Sequence, residues 1–262
     1  MNLCTVINKP FIKSCKNLIK SYELNSYAKN VFVYYFDCEE KDLEELSRNT
    51  ALNVTLVKIP KVSDFIYEPR GFAYKVYAIW HCLNNFGSMI YSDSANCFIK
   101  KFTDLEGILT NGRLFLPYTN PFLYNKFWCT QKSMDAMKCK EAENHPQYWA
   151  GFQVYENTRE NMEFVNEYYK YSLDPNVCLP DTTVKQPDGA EYPCREHRQD
   201  QSIFSILIHK MSMHQPFNLD LQRKFGDWST FKNFDPKYEV VPEKVILSSR
   251  ESKHGYYRYL ND

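Results

Sequence analysis

Asp93 closes a short apolar run, Ser88-Met89-Ile90-Tyr91-Ser92-Asp93, and Ser94-Ala95-Asn96-Cys97-Phe98-Ile99 follows it. A carboxylate rarely stays fully buried unless it is paired or holds a metal. The pattern therefore places Asp93 where a buried strand emerges into a cleft, and a carboxylate there can ligate a cation. Asp37 ends a second apolar run, Val31–Phe36, in the same way. In a parallel sheet both strand ends open on one edge, the edge where ligands bind. The competing reading is that each aspartate caps the turn or helix that follows it.

Further polar clusters could serve the same cleft. Glu196-His197-Arg198-Gln199-Asp200-Gln201-Ser202 lies at the mouth of an apolar helical stripe. Asp200 there is either a helix cap or a group that acts as a base or binds sugar hydroxyls, and Arg198 could hold phosphate. Arg70 and Lys75 precede the Asp93 strand by one helix and could face a diphosphate, or be solvated surface charges. Trp149-Ala150-Gly151-Phe152 combines small residues that permit close approach with aromatics, Trp149 and Phe152, that could stack on a sugar; ordinary strand packing explains it equally well. His254, in Lys253-His254-Gly255-Tyr256-Tyr257-Arg258, is a candidate second metal ligand or an exposed tail histidine.

The elements that must position these residues alternate. Leu3–Ile7 reads as a strand, and Pro10 opens a helix with Phe11, Ile12, Cys15, Leu18, Ile19 and Tyr22 on one stripe. Val31–Phe36 is a strand, Glu39–Arg48 a helix with acidic first turns, Val54–Ile59 a strand, and Phe72–Phe86 a helix stopped by Gly87. Ser88–Tyr91 then delivers Asp93. Strands alternating with helices imply a mostly parallel, buried sheet. Beyond it, Leu114–Tyr118 reads as a strand, Thr119–Pro146 as a long aromatic loop, Tyr148–Tyr155 as a strand and Asn161–Tyr171 as a helix. Pro175–Cys194 reads as a loop, Gln201–Met213 as a helix and Val240–Leu247 as a last strand. With no repeat, low-complexity tract or linker, residues 1–262 read as one domain.

Composition narrows the function. The 32 basic and 32 acidic residues cancel, so no long-range field favours a nucleic-acid backbone. No apolar run approaches the roughly 18 residues that span a bilayer, and the N-terminus does not read as a signal peptide. A soluble, cytoplasmic or otherwise intracellular protein is expected. The nine cysteines fit no zinc motif and read as mostly reduced core residues; Cys178 and Cys194 flank a loop and could pair. No two of the eight glycines have phosphate-cradle spacing, so a bound phosphate must rely on a metal, Arg or Lys.

Four elements in order resemble a known family: Arg70-Gly71-Phe72-Ala73-Tyr74-Lys75, then Ile90-Tyr91-Ser92-Asp93-Ser94-Ala95, then Trp149-Ala150-Gly151-Phe152, then His197-Arg198-Gln199-Asp200-Gln201-Ser202. Over roughly residues 1–210 the chain is similar to nucleotide-sugar glycosyltransferases of the GT-A fold, in particular a branch with an H-R-x-D-Q-S segment. The resemblance implies an α/β, Rossmann-like domain that moves a sugar from a UDP- or GDP-sugar donor to a hydroxyl of a glycan acceptor. It implies Mn2+ or Mg2+ at Asp93, base and ribose contacts at Thr5, Val6 and Asp37, a diphosphate contact at Arg70, and Asp200 and Gln201 near the donor sugar and acceptor. The aromatic stretch Phe122–Trp128, with Trp149 and Phe152, would meet the acceptor. Ala95 departs from the family's D-x-D pattern, which leaves one carboxylate where two are usual. The competing readings are a non-catalytic sugar- or nucleotide-binding module with a degenerate metal site, and a nucleotidyltransferase. The absence of glycine from Leu3–Lys16 disfavours the latter.

Overall fold

The computed structural model describes residues 1–26, 28–48, 50–102, 105–118, 123–179, 197–226 and 245–248. The first half builds β1 (Asn2–Ile7), α1 (Ile12–Asn25), β2 (Asn30–Tyr35), α2 (Glu40–Ser47), β3 (Asn53–Lys58), α3 (Ala73–Phe86) and β4 (Met89–Ser92). The strands β3, β2, β1 and β4 pair in that order, all parallel. Beyond β4 the sheet reverses: β7 (Phe152–Tyr155) is antiparallel to β4, and β6 (Arg113–Leu114) is antiparallel to β7. The expected mostly parallel α/β sheet is therefore present, with an antiparallel margin.

Side-chain alternation on β1 divides the core into two layers. Leu3 and Ile7 face α1, where Ile12, Cys15 and Leu18 meet them together with Val31 and Val33 of β2. Cys4 and Val6 face the other way, onto Val76, Ile79 and Leu83 of α3. On β4, Met89 and Tyr91 share the α3 side while Ile90 takes the α1 side. Side chains two apart on a strand point the same way, so continuing the β4 period places Asp93 on the α3 side. The chain runs from β1 outward to β3 and then returns through α3 to β4 on the opposite side of β1. That reversal is the switch point, where a crevice opens at the carboxyl ends of the strands.

The irregular middle is more structured than its sequence suggests. Within the stretch expected as a long loop, α4 (Asn125–Trp128), α5 (Gln131–Ala136) and a 3-10 turn (Lys140–Asn144) pack Met134, Met137, Cys139 and Ala142 into the core. The buried Asn125 holds them together, donating to the Ala142 carbonyl at 2.9 Å while its Oδ1 accepts from Gln147 at 2.8 Å. These helices are too short for a 3.6-residue period to register. The strand expected over Leu114–Tyr118 breaks after Leu114, where the Phe115 amide turns to the Gln215 side chain at 2.7 Å, and pairing resumes at an isolated Pro117–Tyr148 bridge. Likewise β7 begins at Phe152, not Tyr148.

The remaining elements are α6 (Arg159–Ser172), α7 (Pro175–Cys178), α8 (Gln199–Lys210) and α9 (Leu219–Phe225). α7 replaces the start of the expected Pro175–Cys194 loop and is capped by the Asp174 carboxylate, which accepts from Asn176 N at 2.9 Å. Cys178 is a buried free thiol that donates to the Gly71 carbonyl at 2.7 Å; Cys194 lies outside the described residues. The described part of the expected last strand, β8 (Ile246–Ser248), pairs antiparallel with β5 (Asn96–Phe98) in a separate two-stranded sheet. α3, α6 and α8 together cover the layer above which the site is built. No described helix is long and apolar enough to cross a membrane.

Candidate functional site

Three elements converge at the switch point. The start of α3 supplies Lys75, the carboxyl end of β4 supplies Asp93, and the first turn of α8 supplies Asp200. The Lys75 ammonium bridges the two carboxylates, 3.0 Å from Asp93 Oδ1 and 2.9 Å from Asp200 Oδ2. Lys75 is 5% exposed and Asp200 5%, whereas the Asp93 side chain keeps 42% of its surface open. The triad thus presents one accessible carboxylate in front of a buried ion pair, with one positive charge against two negative ones.

Neighbouring groups fix this arrangement. The Tyr91 hydroxyl, two residues back on the same side of β4, donates to Asp93 Oδ1 at 2.9 Å. The Asp93 amide donates to the Gly151 carbonyl at 2.9 Å, and the Asn96 amide closes a turn onto the Asp93 carbonyl at 2.9 Å. Gly151 has no room for a side chain: a Cβ there would lie 2.8 Å from Asp93 Oδ2 and 2.6 Å from Trp149 Nε1. On α8, the Tyr168 hydroxyl donates to the Asp200 carbonyl at 3.1 Å. The Ser202 hydroxyl donates to the Trp128 carbonyl at 2.6 Å and accepts from the Arg198 amide at 2.9 Å, which ties the start of α8 to α4.

The electrostatics follow from burial. Burial by itself would lower the Lys75 ammonium, but Asp200 and Asp93 outweigh it and hold Lys75 above its usual range. Burial pushes the Asp200 carboxyl up against the opposing pull of Lys75, and the Asp93 charge adds to the rise. Tyr91 and Tyr74 are both raised, first by burial and then by the facing carboxylates, so their hydroxyls stay protonated. The positive end of the α8 dipole points at the same place and favours an anion there.

Around the triad lies an open cleft of about 470 Å³. Of the residues singled out in the sequence, it brings together Arg70, Lys75, Asp93, Trp149, Arg198, Asp200 and Gln201. Arg70 is exposed at the rim, its Nε 3.3 Å from Glu68 Oε1. The Arg198 guanidinium stacks 3.9 Å over the Trp128 ring. Gln201 is fixed by donating to Gln147 Oε1 at 2.9 Å.

Other candidates fall elsewhere. Phe152 is fully buried and stacks on Phe225 at 5.6 Å, so the expected contact of its ring with an acceptor is corrected: its side chain faces the α1 layer. Thr5 and Val6 are buried in the sheet and do not line this cleft, since β1 is central and covered on both sides. Asp37 is exposed just past β2 with a left-handed backbone (φ 49°), and it too stays outside the cleft. His254 and Phe122 lie outside the described residues. Tyr118 and Phe72 line the cleft without having been singled out. Tyr91 was legible in principle, because the two-residue period of a strand places it beside Asp93.

The carboxylate oxygen left uncontacted on the open side of the site is Asp93 Oδ2. Tyr91 and Lys75 occupy Asp93 Oδ1, and Lys75 takes Asp200 Oδ2. Ala95 offers no ligand atom, and the Asn96 side chain is held by its amide nitrogen, which donates to Ser92 Oγ and the Gly151 carbonyl. The set fits a metal that arrives on a diphosphate and takes a single carboxylate oxygen from the protein, a mode common for Mg2+.

No protein-family model and no curated protein sequence matches the chain. Solved structures do. The apo structure of the bifunctional glycosyltransferase WbbM matches over 95% of this chain with a TM-score of 0.57 and 9% identity. The apo structure of mouse xyloside xylosyltransferase 1 matches over 95% of this chain and 97% of its own length, with a TM-score of 0.54 and 12% identity. The chain has the GT-A glycosyltransferase fold. It spans 45% of the length of the WbbM chain. Within the GT-A fold, the strand order 3-2-1-4 followed by an antiparallel strand puts Asp93 at the switch point.

Two outcomes test this geometry. Lys75→Met leaves two carboxylates facing each other and is expected to destabilise the fold by about 3–5 kcal/mol in urea unfolding. Adding Asp200→Asn should restore part of that loss. A Lys75→Met variant within 1 kcal/mol of the parent would contradict the bridge. The second outcome concerns His197, next to the site, whose imidazole burial pushes down to about 4. As pH falls below about 6.5 the unfolded histidine takes up a proton while the folded one resists, so stability should drop by up to about 1.4 kcal/mol per pH unit down to pH 4. Unfolding curves of His197→Asn should show a shallower decline over that window; an unchanged slope would refute the assignment.

Proposed function

We propose that the chain is a glycosyltransferase that moves a sugar from a nucleotide-diphosphate donor to a hydroxyl of a glycan acceptor. The observation that carries this reading is the Lys75 bridge between Asp93 and Asp200 at the switch point of a GT-A fold. The likeness of the fold to two glycosyltransferases supports it.

The roles follow from position. Arg70 and Arg198, at the rim of the cleft, meet the donor diphosphate, with the dipole of α8 behind it. Asp93 Oδ2 offers the accessible carboxylate oxygen to Mn2+ or Mg2+ carried by that diphosphate. Such an ion neutralises the charge that develops on the leaving group. Asp200 is buried, its carboxyl raised and clamped by Lys75, which suits a group that accepts a hydrogen bond or a proton from a sugar hydroxyl. Lys75 is a positioning residue: it holds both carboxylates at a fixed separation. Trp149 and Tyr118 supply apolar and hydroxyl surface for a sugar ring.

A second reading is favoured by one residue. Ala95 removes a carboxylate from the strand-end motif, as in a binding module that has lost catalysis. Titration with UDP and GDP, with and without Mn2+ and Mg2+, followed by donor-hydrolysis assays, separates the two. The expected result is metal-dependent binding of one nucleotide that weakens at least tenfold in Asp93→Asn. Asp200→Asn should keep nucleotide binding and lose turnover by roughly 100-fold or more. Sugar binding with no nucleotide binding under any metal would sink the transferase reading in favour of the module.

A further inference from the structure

At the far end of α8 from Asp200, three histidines converge. His209 sits in the last turn of α8, His214 just beyond it, and His145 immediately after the 3-10 turn at Lys140–Asn144. One ring nitrogen from each lies within 4.8 Å of the other two. The His145 and His209 rings are 3.7 Å apart between centroids, and His209 and His214 are 5.0 Å apart. Nine residues of helix separate Asp200 from His209, about 14 Å along the axis at the usual rise. None of the three lines the cleft described above.

The backbone around the cluster is anchored while the rings remain available. The Asn125 amide donates to the His145 carbonyl at 2.8 Å. Met213 and Gln215, on either side of His214, are both buried, and the Gln215 side chain bonds to Phe115 N and the Arg113 carbonyl. His214 itself is exposed, so an ion can enter from solvent. Nδ1 of His209 is buried and has no hydrogen-bond partner, the state of a donor atom waiting for a ligand. The nearby cation is turned away: Lys210 Nζ donates to the Met137 carbonyl and the Tyr171 hydroxyl, both at 2.7 Å. Cys139 and Glu141 form a second cluster with the same His209.

We propose that His145, His209 and His214 bind one Zn2+ ion, with water as the fourth ligand. Three imidazoles and a water are a zinc donor set, not a magnesium or calcium one. Ligand nitrogens on a tetrahedral zinc stand about 3.3 Å apart, so from a span of up to 4.8 Å the rings draw together when the ion binds. The ion would staple the end of α8 to the 3-10 turn and so fix the helix whose other end carries Asp200. This assignment is independent of the proposed transferase activity.

The test uses the full chain, stripped of metal by chelator dialysis, titrated calorimetrically with zinc chloride and separately with Co2+. One equivalent of Zn2+ should bind and raise the thermal midpoint, and Co2+ should develop the visible absorption of a tetrahedral site. His214→Ala, at an exposed side chain, should leave the fold intact, cut zinc affinity at least tenfold and abolish both the cobalt band and the thermal shift. Asp93→Asn should change none of these. Absence of saturable binding, or binding and cobalt spectra unchanged in both His214→Ala and His145→Ala, would overturn the proposal.

Discussion

One ammonium group holds this site together. Lys75 is delivered by α3, Asp93 by the end of β4 and Asp200 by the start of α8, and the ion pairs tie those three ends to one point. The Lys75 ammonium offsets the repulsion between the two carboxylates, and they in turn offset the cost of burying it. The triad therefore constrains the fold as much as it furnishes the site. The two-layer core explains how the three groups come to face one another: strand period sends Tyr91 and Asp93 to the side where α3 and α8 pack.

The constraint also explains the missing second aspartate. In the resemblance drawn from the sequence, Ala95 looked like a damaged metal motif. In the structure the Lys75 ammonium lies beside Asp93 Oδ1. What remains open is one oxygen of Asp93, kept clear because Gly151 has no side chain. Arg70, Arg198 and the start of α8 supply the positive surface around it. These are the groups that the proposed donor diphosphate would meet.

The first half of the fold was legible because its strands and helices are long enough for their periods to register. Val31–Phe36 and Phe72–Phe86 appear within a residue or so of their sequence bounds. The parallel sheet and its ligand edge followed from that alternation. The middle was not legible, because α4, α5 and α7 each span six residues or fewer and are held by tertiary hydrogen bonds such as those of Asn125. Phe152 misled for a different reason: an aromatic beside a glycine looks like a ligand platform, but strand parity turns it inward. Lys75 was named only as a possible diphosphate contact, since nothing local marks a lysine that two distant carboxylates will bury. The histidine cluster was invisible because His145 lies 64 residues from His209.

A crystal structure of the chain with bound UDP or GDP and Mn2+ tests the central claim most directly. The diphosphate should lie between Asp93 and the guanidinium groups of Arg70 and Arg198, with Lys75 still bridging Asp93 and Asp200. A nucleotide bound away from this cleft, or a Lys75 released from both carboxylates when it binds, would contradict it.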